Sequence, residues 1–225
     1  MDNYYAEKLN SQKLFQVYET QIPRVKQYLQ AEIDFVKDNL SATQDVLELG
    51  AGYGRIVREL APYCGSIVGM DISMESVELG KEYLKDYPNA TMVAMDVHKM
   101  EFPKPFDVVL CLQNGLSAMR ADSTVINKIL EVLAPGGTAY FSSYSSNFWD
   151  FRVKWFEEQA SKGLLGELDY AKTQNGVIIC KDGFKAMTHS PEDFQKIGED
   201  SGYPYKVQEV DESSLFLIIQ KNELN

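Results

Sequence analysis

The sequence is short of the residues that build disulfide frameworks and metal centres. Its three cysteines, Cys64, Cys111 and Cys180, are far apart and form no Cys-x-x-Cys pair. An odd number of scattered cysteines predicts neither a disulfide scaffold nor a zinc site. The chain has only two histidines, His98 and His189. We therefore expect no metal ion in this protein.

Basic charge and long apolar runs are also scarce. The chain carries 22 lysines and arginines against 33 aspartates and glutamates, a formal net charge of −11. A nucleic-acid backbone needs a basic surface, so we expect no nucleic-acid partner. No apolar run reaches the length that crosses a bilayer, and Met1-Asp2-Asn3-Tyr4-Tyr5 lacks the basic and apolar regions of a signal peptide. These features predict a cytoplasmic protein without a membrane partner.

The hydrophobic pattern is typical of an α/β protein. Residues 1–40 have helical periodicity, and strand patterns then alternate with helix patterns as far as residue 144. Such alternation favours a doubly wound, mostly parallel sheet with helices on both faces. The predicted strands are Asp45–Leu49, Ser66–Asp71, Ala90–Met95, Phe106–Leu112 and Gly137–Tyr144, and the predicted helices include Met74–Tyr87 and Ser123–Leu133.

The pattern changes after the fifth strand. Phe148–Ser161 has helical spacing, and short β-like runs follow it. These runs are Gly166–Lys172, Val177–Lys181 and Phe184–Thr188, separated by hairpin-type turns. We expect them to form a small α+β insert.

A helix and two strands are predicted at the end of the chain. Ser190 is a typical N-cap, Pro191 suits the first helical position, and Asp193 completes a capping box. The segments Val207–Val210 and Ser214–Gln220 have the pattern of a final antiparallel pair.

The segment Val46–Arg55 is the most informative part of the sequence. An apolar run contains Glu48, and glycines then stand at alternate positions, Gly50, Gly52 and Gly54, before an apolar-periodic helix. Glycine is needed where the backbone takes positive φ or lets a ligand approach closely. The N–H groups at the start of a helix attract anionic ligands. The alternative interpretation is an ordinary strand-to-helix turn without a ligand.

The spacing of this turn differs from the dinucleotide fingerprint. In G-x-G-x-x-G the third glycine comes one residue later, and Arg55 occupies the position where that pattern has Gly or Ala. The segment resembles motif I of the class I S-adenosylmethionine (SAM) dependent methyltransferases, in which the turn lies under the methionyl part of the cofactor. The resemblance implies that the SAM site includes Glu48, Gly50, Ala51, Gly52 and Gly54. Arg55 is a further candidate for the cofactor's carboxylate.

A ribose-binding acid is expected at the end of the second strand. Asp71 lies there, about twenty residues after the first glycine, where nucleoside-binding doubly wound sheets place such an acid. Its alternative role is helix capping, but Ser73 is the better N-cap. We assign Asp71 and the adjacent Ile72 to the cofactor site.

The next two strand ends continue the resemblance. An acid such as Asp96 accepts a hydrogen bond from the adenine amino group in this superfamily, and the N–H of the next residue, here Val97, meets a ring nitrogen. The fourth strand resembles motif IV, which places Leu112 and Gln113 against the cofactor. Residues 133–138, Leu-Ala-Pro-Gly-Gly-Thr, resemble the turn before the family's fifth strand.

The resemblance implies a seven-stranded, Rossmann-like sheet whose last strand is antiparallel. We interpret the chain as one methyltransferase domain. Its predicted parts are a helical lid (1–40), a SAM-binding core (44–145), a substrate-covering insert (147–189), and a C-terminal helix with strands six and seven (190–225).

The acceptor side has candidates but no obvious base. Tyr5 and Tyr144 are the aromatic residues that we expect in the pocket, whereas Tyr18 and Phe156 are expected to pack in the core. Tyr144 and His189 are the candidates for a catalytic role, and Tyr5 is also a candidate for cofactor binding. The side chains point to alignment of the acceptor rather than to an obligatory acid or base.

The predicted function is methyl transfer from SAM to a small-molecule acceptor. The acidic composition argues against a nucleic-acid acceptor. The alternatives are a non-catalytic protein that binds SAM or a nucleoside, as a sensor or accessory subunit, and an NAD(P)-dependent oxidoreductase. The position of Gly54 and the presence of Arg55 count against the oxidoreductase. We expect a monomer or a homodimer.

Overall fold

The computed structural model describes residues 11–223, which begin with two helices. Helix α1 spans Ser11–Tyr18, and helix α2 spans Pro23–Lys37 with Pro23 in its first turn. One stripe of α2 is buried and consists of Val25, Tyr28, Leu29, Glu32, Ile33 and Val36. The helical periodicity predicted for this part of the chain is confirmed.

The strands form one large sheet and one small hairpin. They are β1 (Asp45–Leu49), β2 (Ser66–Asp71), β3 (Ala90–Ala94), β4 (Phe106–Cys111), β5 (Leu133–Tyr144), β6 (Ile178–Ile179), β7 (Lys185–Ala186), β8 (Tyr205–Val210) and β9 (Ser214–Gln220). The seven-stranded sheet has the order β3-β2-β1-β4-β5-β9-β8. Strands β1 to β5 pair in parallel, whereas β9 is antiparallel to both β5 and β8. The predicted doubly wound sheet with an antiparallel last strand is confirmed.

Helices cover both faces of this sheet. They are α3 (Arg55–Leu60), α4 (Met74–Tyr83), α5 (Gly115–Ala118), α6 (Ser123–Glu131), α7 (Trp149–Ser161) and α8 (Pro191–Ser201). Val46 contributes to the apolar core with α2, α3 and α4, whereas its neighbour Leu47 contributes to the core with α6 and α8. Successive strand residues point to opposite faces of the sheet, so each strand contributes side chains to both cores. Within residues 11–223, no helix is long and apolar enough to span a membrane.

The boundary between α6 and β5 differs from the prediction. The helix ends at Glu131 rather than at Leu133, and the strand begins at Leu133 rather than at Gly137. Leu133 pairs with Phe106, and the next pair is Thr138 with Val108. The intervening Pro-Gly-Gly segment is therefore an irregularity inside the strand instead of a turn before it.

The insert contains less regular structure than predicted. Its β-pairing consists of β6 with β7 and isolated bridges such as Leu168 with Cys180. Side chains replace part of the strand ladder: the Thr173 hydroxyl donates to the Ile179 carbonyl and accepts from the Ile179 N–H, both at 3.1 Å. The predicted runs Val177–Lys181 and Phe184–Thr188 contain β6 and β7, and Gly166–Lys172 contains only the bridge at Leu168. The strands are shorter than predicted, because local turns and side-chain bonds compete with strand pairing.

The start of α8 agrees with the sequence. The Ser190 hydroxyl accepts a hydrogen bond from the Asp193 N–H, and the Asp193 carboxylate accepts one from the Ser190 N–H. Gly202 ends the helix with a φ of 70°. The predicted capping box and glycine stop are confirmed.

A buried carboxylate joins α2 to the sheet. Glu32 is fully buried, and its Oε2 accepts a hydrogen bond of 3.0 Å from the Gln113 N–H. Its Oε1 accepts one of 2.7 Å from the Ser214 hydroxyl on β9. Burial raises the pKa of Glu32 to about 7, although hydrogen bonds from Ser214, Ser142 and Gln113 favour the ionised form.

We expect part of the pH dependence of stability to come from Glu32. Its pKa of about 7 in the folded state compares with an ordinary value of 4.5. Between these values the folded state binds more protons, so raising the pH lowers the free energy of unfolding by up to about 3 kcal/mol. Glu32→Gln should remove this decrease in urea unfolding measured from about pH 4 to pH 8.

The matched control is Glu75→Gln, which changes an exposed carboxylate on α4. This variant should keep the wild-type slope of unfolding free energy against pH. If Glu32→Gln also keeps that slope, Glu32 does not titrate in this window.

A buried arginine fastens the insert to α7. Arg152 lies on α7 with no solvent exposure, and its guanidinium is 4.4 Å from the centre of the Tyr144 ring. It donates hydrogen bonds to the carbonyls of Gly176, at 2.8 Å, and Ala186, at 3.3 Å. These bonds tie two separate segments of the insert to one side chain.

We expect Arg152→Met to lower the free energy of unfolding by about 2 kcal/mol, because the buried Ala186 carbonyl loses a donor. Methionine keeps much of the side-chain volume, so the lost hydrogen bonds dominate. Chemical denaturation measures the change. Lys154→Met, on an exposed position of the same helix, is the control and should change stability by less than about 0.5 kcal/mol. Equal effects of the two substitutions would contradict this role of Arg152.

Candidate cofactor and active site

The glycine turn between β1 and α3 is built from left-handed backbone. Gly50, Gly52 and Gly54 have φ values of 68°, 56° and 84°. A Cβ on Gly52 would lie 2.4 Å from Cδ2 of Leu14 on α1. The turn therefore needs glycine both for its conformation and for the close approach of the N-terminal helix.

Unused hydrogen-bonding groups lie beside this turn. Glu48 is buried, and its Oε2 has no partner among the described residues. Burial raises the pKa of Glu48 to about 8, while the positive charge of Arg55 favours the ionised form. Arg55 itself has Nε and Nη2 without partners in residues 11–223, and its guanidinium lies 4.5 Å from the centre of the Tyr18 ring. Buried polar atoms that stay unpaired are costly, which indicates a ligand at this position.

Asp71 lies at the end of β2 and faces the glycine turn. Its carboxylate oxygens accept hydrogen bonds of 2.8 Å from the N–H groups of Gly52 and Ser73. Ser73 caps α4 by accepting from the Ser76 N–H, as predicted. Burial raises the pKa of Asp71. Because each carboxylate oxygen has two lone pairs, Asp71 retains acceptor capacity for a ligand.

The end of β3 forms the next part of the wall. The Asp96 carboxylate accepts a hydrogen bond of 2.9 Å from the His98 N–H and so caps the short turn Val97–Lys99. The N–H of Val97 begins this turn and has no partner within it. Both a carboxylate and a backbone donor are thus available at this strand end.

The chain leaves β4 through a strained turn. Gln113 and Asn114 have φ values of 53° and 63°, which non-glycine residues adopt rarely. The Gln113 N–H donates to Glu32 and, at 2.7 Å, to the Ser142 hydroxyl. The side-chain Nε2 of Gln113 is buried and has no partner among the described residues. Strain held by surrounding bonds is a common property of functional sites.

The other side of this turn is tied to the insert. The Asn114 amide donates to the Met187 carbonyl at 2.7 Å and accepts from the Ser143 hydroxyl at 2.8 Å. The same Ser143 hydroxyl accepts a hydrogen bond of 3.0 Å from the His189 N–H. The β4 exit, β5 and the end of the insert therefore form one hydrogen-bonded unit.

One cleft collects most of the predicted cofactor residues. Its wall includes Glu48, Gly50, Ala51, Gly52, Asp71, Ile72, Asp96, Val97, Leu112 and Gln113. Gly54 does not line the cleft, because it starts α3 and packs toward Leu84 and Met92. Tyr5 lies outside the described residues.

The two catalytic candidates have different positions. Tyr144 lines the cleft, and burial raises the pKa of its hydroxyl to about 12. His189 is not part of the cleft wall: its ring stacks on Phe194 and its Nδ1 is 3.1 Å from the Ser117 hydroxyl. Burial lowers the pKa of His189. Tyr144 therefore meets the geometric requirement for contact with a ligand, and His189 does not.

Several cleft residues were not expected from the sequence. Tyr18 and Phe156 were expected only in the core, but both line the cleft, together with Trp155, Gln159, Phe184 and Ala186. Residues three and four apart share a helix face, so Gln159 belongs to the face of Trp155 and Phe156. A polar residue on an otherwise aromatic helix face was the feature of the sequence that could have indicated a ligand-binding surface here. Within residues 11–223, no group of three or more His, Cys, Asp or Glu side chains forms a metal site.

Comparison with protein families finds a match over residues 46–137, to the family described as Methyltransferase domain. A ubiquinone biosynthesis O-methyltransferase from Hydrogenovibrio crunogenus is 22% identical over 168 residues, covering 67% of this chain and 69% of that protein. The enzyme of the same name from Azoarcus sp. is 26% identical over 136 residues, covering 58% of each chain. The matches thus cover 69% and 58% of these relatives' lengths.

Solved structures share the fold. The N-methyltransferase NodS from Bradyrhizobium japonicum WM9, in complex with S-adenosylhomocysteine, superposes with a TM-score of 0.59 at 16% identity, covering 99% of this chain and 100% of NodS. A SAM-dependent methyltransferase from Clostridium acetobutylicum gives 0.62 at 14% identity, covering 93% and 98%. The [4+2]-cyclase SpnF gives 0.62 at 13% identity, covering 86% and 80%.

The family match and the architecture agree. The matched residues run from β1 into β5, which is the part of the sheet that carries the glycine turn and both strand-end aspartates. The antiparallel β9 and β8 complete the seven-stranded sheet expected from the resemblance. Residues 46–137 thus match a methyltransferase domain, and the sheet supports the resemblance to the class I SAM-dependent methyltransferases.

Proposed function

We propose that this protein transfers the methyl group of SAM to a small molecule that binds behind Tyr144. One observation carries the proposal: a single cleft runs from the glycine turn past Asp71 and Asp96 to the aromatic residues of the insert. The wall of this cleft thus joins the predicted cofactor residues to the aromatic residues, and this continuity supports binding of a cofactor and an acceptor side by side.

The residues of the cleft fit the parts of SAM. The unpaired donors of Arg55, beside the glycine turn, suit the methionyl carboxylate. Asp71 retains acceptor capacity for the ribose hydroxyls. Asp96 and the Val97 N–H suit an amino group and a ring nitrogen of adenine. This assignment keeps the sequence-based cofactor residues that line the cleft, Arg55 included.

The chain's own contribution to the reaction is alignment and exclusion of water. SAM supplies a methyl group on a positively charged sulfur, which is already a good leaving group. The aromatic faces of Tyr18 and Tyr144 would stabilise that charge by cation–π contact. With a pKa of about 12, the Tyr144 hydroxyl stays protonated at neutral pH. We therefore propose that Tyr144 orients the acceptor rather than removing its proton.

The class of acceptor is inferred from the residues that line the aromatic part of the cleft and not from the fold. The curated relatives are named O-methyltransferases, NodS is titled an N-methyltransferase, and SpnF a cyclase. One fold thus carries several chemistries, and the residues around the acceptor decide among them. A cytoplasmic location and a monomeric or homodimeric state remain predictions.

We expect Asp71→Ala to weaken SAM binding about 100-fold, because the ribose hydroxyls lose a charged acceptor. Gly52→Val should abolish binding, since a valine at positive φ strains the glycine turn and its side chain collides with Leu14. Calorimetric titration with SAM measures both. Glu75→Ala removes an exposed carboxylate close to Asp71 in sequence and should bind as wild type does. Wild-type affinity in Asp71→Ala or Gly52→Val would overturn the site.

Turnover separates an enzyme from a non-catalytic SAM-binding protein. We expect the protein, incubated with labelled SAM and a pool of small metabolites, to release S-adenosylhomocysteine and a labelled methylated product. The same mixture with Gly52→Val should release neither. Tight SAM binding without product from any acceptor pool would favour the sensor or accessory role.

A further inference from the structure

An aromatic chamber adjoins the cofactor side of the cleft. We name it the acceptor chamber, and its walls are Tyr144, Trp155, Phe156, Gln159, Phe184 and Ala186. The ring centres of Trp155 and Phe156 are 6.5 Å apart, and those of Phe156 and Phe184 are 6.1 Å apart. These rings pack against one another and together give the cleft an aromatic wall, which favours an aromatic ligand.

The chamber offers few polar groups. The indole N–H of Trp155 already donates to the Val17 carbonyl at 3.2 Å, so it is not available to a ligand. Gln159 is buried and lines the wall. Gln113 lines the same cleft, and its Nε2 is buried and has no partner in the described part of the chain. This amide can therefore donate a hydrogen bond to an acceptor atom of a ligand.

No charged side chain belongs to the chamber wall. Among the described residues that line the whole cleft, the one arginine is Arg55, beside the glycine turn, and there is no lysine. Arg152 does not line the cleft: its guanidinium lies 4.4 Å from the centre of the Tyr144 ring and 5.6 Å from that of Phe156, and it donates to two carbonyls. A charged group in the chamber would therefore lose its hydration without an ion-pair partner among the described residues of the chamber wall.

We propose that the methyl acceptor is an uncharged aromatic molecule whose ring enters the acceptor chamber and whose polar substituent accepts a hydrogen bond from the Gln113 amide. This inference rests on the proposed methyl transfer, since it assigns the second half of the same cleft. The aromatic wall residues would contact the ring, and the unpaired Gln113 amide would bind the substituent. A charged group would find no ion-pair partner in the chamber wall.

The test compares four probes of one size on the protein saturated with S-adenosylhomocysteine. They are 2-naphthol, decahydro-2-naphthol, 2-naphthoate and 2-naphthylmethylammonium, each titrated by calorimetry. We expect 2-naphthol to bind at least tenfold more tightly than each of the others. Equal or tighter binding of the saturated alcohol would overturn the aromatic assignment. Equal or tighter binding of either ion would overturn the uncharged one.

Two variants test the residues. Gln113→Asn retracts the amide by one methylene while keeping a residue type that tolerates positive φ. It should lower the affinity for 2-naphthol about tenfold and leave the affinity for naphthalene, which has no hydroxyl, unchanged. Phe184→Ala should lower the affinity for both aromatic probes, whereas Lys185→Ala, at the exposed neighbouring position, should lower neither affinity. Unchanged 2-naphthol affinity in Gln113→Asn would overturn the hydrogen bond.

The outcomes also separate this inference from the proposed function. If S-adenosylhomocysteine binds but 2-naphthol does not, the acceptor class is wrong and the methyl transfer stands. If S-adenosylhomocysteine itself does not bind, the proposed function fails first. The probe comparison on the unmodified protein decides the matter even where Phe184→Ala does not fold.

Discussion

The hydrogen bonds of one buried carboxylate hold the reactive edge of the sheet together. Glu32 comes from α2, yet it accepts hydrogen bonds from the β4 exit and from β9. Burying a carboxylate is costly unless such donors surround it. Helix α2 therefore has one position on the sheet in which this group is satisfied, and α1, which precedes it, contributes Leu14 and Tyr18 to the wall of the cleft.

The strained turn after β4 depends on the same contacts. Glu32 and Ser142 hold the Gln113 N–H, while the insert holds the Asn114 side chain through the Met187 carbonyl. Two consecutive left-handed residues are unfavourable by themselves and persist because bonds from both sides determine them. Helix α2 and the insert thus act on this turn through hydrogen bonds to its backbone and side chains.

The sequence predicted most of the cleft residues near the glycine turn but few of those in the acceptor chamber, and the difference has a physical reason. Strands β1 and β2 and the glycine turn are specified by local pattern, and their bounds were predicted as found. The insert is specified by distant contacts, such as Arg152 with the Ala186 carbonyl, which no local period records. Glu32 was missed because acids on helices are usually exposed. Its spacing from Leu29 and Ile33 nevertheless puts it on the buried stripe of α2.

The two halves of the cleft are therefore under different constraints. The cofactor half needs glycines with positive φ and acids at strand ends, positions where few residue types suffice. The acceptor half needs only shape, aromatic surface and one or two polar groups, which many sequences supply. Structures that share this fold at 13–16% identity accordingly carry titles as different as N-methyltransferase and cyclase. In this chain the proposed acceptor half has aromatic walls, and we propose that selection there acts through ring contacts and the Gln113 amide.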